Sequence, residues 1–302
     1  MNTSHLIEKI NALKKEKNAV ILVHNYQSPE IYKVADFLGD SLDLSRKAAK
    51  TDNDIIVFCG VHFMAETAKI LNPSKIVLLP ALDAGCPMAD MATLEGIEQL
   101  KKKHPGAAVA CYVNTTAEIK AVSDICVTSA NAVQVINFLK EDTVLFVPDK
   151  NLAYYVAQHT KKTIIPYEGF CHVHQRFTKK DIEKARKIFP DAPIIAHPEC
   201  PPEVLKLADY VSSTSGMINV AKNLKAKEII IATEIGMIER LQLELPAKKF
   251  YSLGSAKICV NMKKTTLEHV YNSLLKEQYQ IHVPEHIAAK AKICVERMLA
   301  VM

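Results

Sequence analysis

Asn18–Asp36 reads NAVILVHNYQSPEIYKVAD, and two later stretches lie on it without a gap: Gly106–Asp124, GAAVACYVNTTAEIKAVSD, and Asp191–Asp209, DAPIIAHPECPPEVLKLAD. Each is an apolar run, a polar triplet, then a helix-like segment with glutamate at one fixed place (Glu30, Glu118, Glu203) and a closing aspartate. Five residues past that aspartate stands a hydroxyl (Ser41, Ser129, Thr214), and 47 to 50 residues past it a cysteine (Cys86, Cys171, Cys259). One supersecondary unit is therefore used three times. Three equivalent thiols around a pseudo-threefold axis can hold a metal centre with one position left open.

Outward from these stretches, helix-like and strand-like segments alternate through the chain. The strands are short, rich in branched residues and non-alternating, as expected where helices cover both faces of a sheet. Short connections imply right-handed parallel crossovers. The expected fold class is α/β, with three homologous αβα sandwich domains whose parallel sheets surround a pseudo-threefold axis. Helices open the repeats at Ser4, Thr93 and Thr178, all good N-caps, and a fourth opens at Thr265. The expected domains are 1–92, 93–177 and 178–264, with a tail, 265–302, packed back on the first. A period of 85–88 residues is too long for a solenoid repeat.

At 302 residues, 49% hydrophobic and 24% charged, the chain has the balance of a water-soluble globular protein. No apolar run approaches the roughly 20 residues a spanning helix needs, and the charged amphipathic N-terminus is unlike a signal peptide. A cytoplasmic protein without membrane contact is expected. The net charge of +5 is spread along the chain. Lys101–Lys103 fall at a helix end, which suits the helix dipole, and no aromatics are interleaved to stack bases, so nucleic acid is not expected as a partner.

Eight cysteines form no C-x-x-C pair, which excludes zinc ribbons and thioredoxin-type motifs. Cys59, Cys111 and Cys126 sit in apolar runs as small hydrophobes. Cys294 falls on a terminal helix and Cys200 follows a strand end. Cys86, Cys171 and Cys259 differ in sharing one repeat position, each in a loop after the last strand of its unit. A zinc site would need a fourth ligand, for which His172 or His174 could serve. Three thiolates also suit a 4Fe-4S cluster with one iron left for substrate.

Ligands of open parallel sheets bind beyond the carboxyl ends of strands. There the triplets stand: His24-Asn25-Tyr26, Tyr112-Val113-Asn114 and His197-Pro198-Glu199. Their first and third members make a shared central site. Ser41, Ser129 and Thr214 each precede a helical run, where N–H groups and the helix dipole favour phosphate or carboxylate.

The motifs HNYQ, GDSL, CPMA, YVNTT, TSAN, CHVHQ, HPEC, TEIG and CVNMK, in that order, resemble the quinolinate synthase family (the A protein of de novo NAD biosynthesis). The resemblance runs from about residue 5 to residue 300 and implies condensation of iminoaspartate with dihydroxyacetone phosphate to quinolinate, phosphate and water. It also implies a 4Fe-4S cluster on Cys86, Cys171 and Cys259, with one iron open to substrate as a Lewis acid. His24, Tyr26, Ser41, Tyr112, Asn114, Ser129, His174, His197, Glu199 and Thr214 would contact substrate, and Tyr26, His197 and Glu199 would carry protons. The partners implied are the two small-molecule substrates and, transiently, an aspartate oxidase or dehydrogenase that makes iminoaspartate. Two departures are visible: Ser-Thr-Ser-Gly-Met at 213–217, where the family pattern is Ser-Thr-Gly-x-Met, and a last cysteine, Cys259, without the additional C-x-x-C partners of some longer relatives. Two rival readings are another open-cluster hydro-lyase and a non-catalytic iron–sulfur scaffold. The scaffold would need the thiols but not the polar strand ends.

Overall fold

The computed structural model describes residues 3–301; positions 1, 2 and 302 of the expected domain bounds lie outside them. α1 (Thr3–Glu16), β1 (Ala19–His24), α2 (Pro29–Tyr32), β2 (Phe37–Gly39), α3 (Ser41–Lys50), β3 (Ile55–Cys59), α4 (His62–Leu71) and β4 (Ile76–Leu78) form the first unit. The same order follows in α5 (Leu94–Lys103), β5 (Ala108–Tyr112), α6 (Ala117–Ala121), β6 (Ile125–Val127), α7 (Ala132–Phe138), β7 (Thr143–Val147), α8 (Lys150–Ala157) and β8 (Thr163–Pro166). It follows again in α9 (Lys179–Ile188), β9 (Ile194–Ala196), α10 (Pro202–Leu205), β10 (Tyr210–Val211), α11 (Thr214–Asn223), β11 (Glu228–Ala232), α12 (Gly236–Glu244) and β12 (Lys249–Ser252). α13 (Leu267–Lys276) and α14 (Glu285–Ala300) make the tail.

Each unit carries a four-stranded parallel sheet: β2-β1-β3-β4, β6-β5-β7-β8 and β10-β9-β11-β12. The protein is an α/β fold of three αβα layers. The central strands β1, β3, β5 and β11 are apolar and almost wholly buried, as helices on both faces require. Among the described residues no helix is long and apolar enough to cross a membrane.

The closing aspartate of the sequence repeat acts alike three times. Asp36, Asp124 and Asp209 each accept a hydrogen bond from the backbone N–H of Ile21, Val109 and Ile194 in the neighbouring strand, at 2.7–2.8 Å. Their own N–H groups donate to the carbonyls of the same three residues at 2.9 Å. This clasp aims the chain into the edge strands β2, β6 and β10; β6 falls in the apolar strand-like run around Cys126, but β2 and β10 were not expected, since runs of two or three residues show no periodicity of their own. The fixed glutamates Glu30, Glu118 and Glu203 stand in the first turns of α2, α6 and α10, where a negative charge meets the positive end of the helix dipole.

Replacing Asp124 by alanine should lower unfolding free energy by roughly 1.5–3 kcal/mol, the worth of one charge-assisted hydrogen bond. Anaerobic urea titration measures it, and a variant as stable as the parent would remove the clasp from the account.

The tail divides its contacts rather than resting on the first unit alone. α13 packs on α1 and β3, while α14 lies along α6 and β6 of the second unit and touches α4 of the first. Between them, the expected strand QIHV is reduced to one antiparallel bridge from Gln280 to Leu78 at the β4 edge. The helix expected to open at Thr265 is capped by Thr266, whose side chain accepts from the N–H of His269.

Candidate active site

The carboxyl ends of the three sheets meet at one cavity, the place where ligands of open parallel sheets bind. His24, Tyr26, Ser41, Cys86, Tyr112, Asn114, Ser129, Cys171, His174, His197, Glu199, Thr214 and Cys259 all line it. Of each triplet, the first and third members line the cavity and the middle member does not; the triplets run from the strand ends into turns, closed in two units by Gln27 N–H to the His24 carbonyl and Cys200 N–H to the His197 carbonyl.

Glu199 is the electrostatic centre. Its Oε1 accepts a 2.5 Å hydrogen bond from the Tyr112 hydroxyl, and its Oε2 lies 2.8 Å from His174 Nδ1. Burial alone would raise this carboxyl, but His174 beside Oε2 and the Tyr112 hydroxyl hold it well below the usual range, so it is ionised. Burial, reinforced by the Glu199 charge, pushes the phenols of Tyr26 and Tyr112 up and keeps them protonated. The Tyr26 hydroxyl meets Thr233 Oγ1 at 2.5 Å, and His174 Nε2 meets the same oxygen at 2.7 Å.

The two strand-end histidines are built alike. His24 Nδ1 accepts from the N–H of Tyr26 at 3.2 Å, and His197 Nδ1 accepts from the N–H of Glu199 at 3.4 Å. An acceptor at Nδ1 puts the proton on Nε2. Burial lowers both imidazoles to about 3, so they are neutral donors near pH 7. His197 also stacks on His174, with ring centres 4.6 Å apart.

The hydroxyls stand differently from the sequence expectation. Ser41 and Thr214 are the first residues of α3 and α11, and their neighbours Asp40 and Ser213 are the N-caps. Ser129 lies in the turn before α7, close enough to bond the Tyr112 hydroxyl. The departure at Ser215 is also accounted for: it is helical, within α11. Its hydroxyl donates to Asp43 Oδ2 at 2.6 Å and accepts from the Asp40 N–H at 3.1 Å. With Ser213 donating to Asp40 at 3.0 Å and Asn25 donating to Thr214 at 3.0 Å, it joins the first unit to the third. A glycine there would lack the hydroxyl.

Each cavity thiol opens a tight turn: Ala89–Met91, His174–Arg176 and Val260–Lys263 follow Cys86, Cys171 and Cys259. Burial raises all three thiols, Cys86 to about 12, and the turns are closed by N–H groups that donate to cysteine carbonyls, Ala89 to Cys86 at 2.9 Å and Met262 to Cys259 at 3.1 Å. Charge on Cys259 raises Cys86, and charge on Cys86 raises Cys171. Three thiols from separate loops that line one cavity suit a metal centre held by sulfur, so these residues fit the iron–sulfur group that the sequence resemblance implies. A tetrahedral zinc with His174 fits less well, since Nε2 bonds Thr233 and Nδ1 faces Glu199.

A second set of thiols is gathered elsewhere. Cys111, Cys126 and Cys294, on β5, β6 and α14, are buried with their sulfurs within 4.8 Å of one another. Cys111 and Cys294 sulfurs are 3.7 Å apart, hydrogen-bond contact for thiols. That close packing, outside the cavity, leaves no room among the sulfurs for a cubane.

Sequence reasoning missed Asp40, Glu234 and Lys263. Asp40 and Glu234 line the cavity, and Lys263 pairs with Glu234 at 3.2 Å while donating to the Tyr26 carbonyl at 2.5 Å. Glu234 lay within the quoted TEIG motif and Lys263 within CVNMK, but neither falls at a strand end that the repeat marks.

Ionised and neutral acid–base groups buried among paired thiols, where three parallel sheets converge, define an α/β enzyme site. A family model described as quinolinate synthetase A protein matches residues 8–300. The chain is 54% identical over 299 residues to a quinolinate synthase of Methanoregula boonei, an alignment covering 99% of both chains. It is 52% identical over 302 residues to one of Alkaliphilus metalliredigens, covering 100% of both, and 52% identical over 301 residues to one of Thermococcus kodakarensis, covering 99% of both. The chain belongs to the quinolinate synthetase A family.

Proposed function

We propose that this protein condenses iminoaspartate with dihydroxyacetone phosphate to give quinolinate, phosphate and water. The observation that carries the reading is the meeting of three thiols with Glu199, two protonated tyrosines and two neutral histidines in one cavity. Cys86, Cys171 and Cys259 would hold a 4Fe-4S cluster, whose open iron supplies Lewis-acid polarisation of a carboxylate, imine nitrogen or hydroxyl. The chain's own residues then divide the proton work. Glu199, ionised and held by Tyr112 and His174, takes protons from substrate carbon or nitrogen. Tyr26, kept protonated by burial, donates to departing oxygen. His197 and His24 present Nε2–H to substrate oxygens as neutral donors.

The substrate anions find no arginine among the cavity residues. Hydroxyls and N–H groups at Ser41, Thr214 and the Ser129 turn would hold them instead. Ser41→Ala and Ser129→Ala should each raise the Michaelis constant for the triose phosphate about tenfold or more, as expected for loss of a charge-assisted hydrogen bond. Unchanged constants in both would reduce these residues to structural roles.

The test of the whole reading is anaerobic purification with iron, sulfide and visible absorbance measured, followed by assay with both substrates. Quinolinate formation is expected. A fully loaded protein that makes none would overturn the proposal in favour of a hydro-lyase acting on another acid. A scaffold has no use for ionised Glu199 among proton donors.

A further inference from the structure

Laying the third strands of the units on one another exposes a second tier of equivalence. Cys59, Val147 and Ala232 pair with Val23, Cys111 and Ala196, which hold one position of the sequence repeat. Two residues further on stand Val61, Asp149 and Glu234. Asp149 and Glu234 are wholly buried. Asp149 Oδ1 accepts from the N–H of Leu152 at 2.7 Å, and its Oδ2 accepts from the N–H of Cys171 at 3.1 Å. Glu234 Oε2 accepts from the N–H of Gly236 at 2.7 Å, and its Oε1 accepts from the N–H of Cys259 at 3.2 Å. Each carboxylate thus spends one oxygen on the start of the next helix and the other on the backbone of a cavity thiol. Val61, in the first unit, has no oxygen to offer the loop of Cys86.

We infer that Asp149 and Glu234 are positioning residues that fix the Cys171 and Cys259 thiol loops from strand ends β7 and β11, while the Cys86 loop is held without such a clamp. Glu234 carries the placement one step further. Lys263, its ion-pair partner, donates to the Tyr26 carbonyl, so one buried pair sets both a thiol of the third unit and a phenol of the first. A methyl group at Gly236 would lie 2.5 Å from Lys263 Nζ and 2.8 Å from both Glu234 Oε2 and the Tyr26 carbonyl oxygen. The joint has no spare room.

The importance of these loops rests on the reading of the cavity thiols as ligands. The test does not, because it uses metal-free full-length protein. Selective 15N-cysteine labelling reports the amide of each cysteine, and hydrogen exchange measures its hydrogen bond. In the parent, the Cys171 and Cys259 amides should exchange about tenfold or more slowly relative to Cys86, the protection a buried hydrogen bond confers. Asp149→Asn should speed the Cys171 amide about tenfold while leaving Cys259 unchanged, and Glu234→Gln should do the reverse. Thermal unfolding should fall far less than a collapse of either unit would require. Equal exchange of all three amides in the parent, or the same acceleration of every cysteine amide in the variants, would overturn the inference. The parent measurement stands even if a variant fails to fold.

Discussion

Alanine at Cys171 is expected to leave the anaerobically reconstituted protein short of iron and without quinolinate synthesis, and Cys86→Ala and Cys259→Ala should behave alike. The three sulfurs line one cavity, each at the head of a tight turn, and charge on one raises its neighbour. Removing one leaves two thiolates to hold a cluster that needs at least three protein ligands here, so the loss should be close to complete. Cys111→Ala is the control. Its sulfur packs on Cys294 away from the cavity, and its removal costs core packing on the order of 1 kcal/mol or more with the iron retained. Iron and sulfide analysis beside a folding check decides the matter. Full iron in any of the first three, or its loss from well-folded Cys111→Ala, would transfer the centre to the other thiols.

Glu199→Gln is expected to keep the cluster absorbance, bind substrate and form quinolinate at least about a hundredfold more slowly, the lower end of what a general acid–base group supplies. The amide cannot take a proton, yet it can still accept from Tyr112, so the site should stay assembled. Tyr26→Phe should fall in the same range, because the phenol is the protonated donor beside Thr233. The assignment of roles turns on His197. Its Nδ1 is engaged by the Glu199 N–H, which leaves Nε2–H facing the cavity as a donor rather than a lone pair as a base. His197→Gln should therefore retain more activity than Glu199→Gln. The opposite ranking, with Glu199→Gln within a few-fold of the parent and His197→Gln inactive, would hand the proton work to the imidazole.

How much of this could be read from the chain is seen in particular residues. The closing aspartates were visible as a repeat, but their work was not, because a clasp on a strand 15 residues back has no local pattern. Two of the edge strands they direct, β2 and β10, were missed for the same reason. The strand-end triplets were legible since period and register place them together in all three units. Asp149 and Glu234 escaped notice because the repeat was aligned on opening strands, while these residues follow the third strands, where the first unit carries Val61. Ser41 and Thr214 were one residue out of place: capping chemistry favours serine and aspartate alike, and Asp40 and Ser213 took the caps.

The frame is threefold, but what it presents is lopsided. The first and third units give the cavity His24 and His197, and the second gives Tyr112 and Asn114 at the matching places. The first and third are also the pair stitched together by Asn25, Ser213 and Ser215. The strand-end imidazoles therefore belong to the two stitched units, while the phenol–amide pair comes from the second unit, which adds His174 from its thiol loop, stacked on His197. A ligand with two unlike ends meets a compass rather than a propeller: rotating it by one third of a turn exchanges every partner it has, so only one docking orientation matches donor to acceptor.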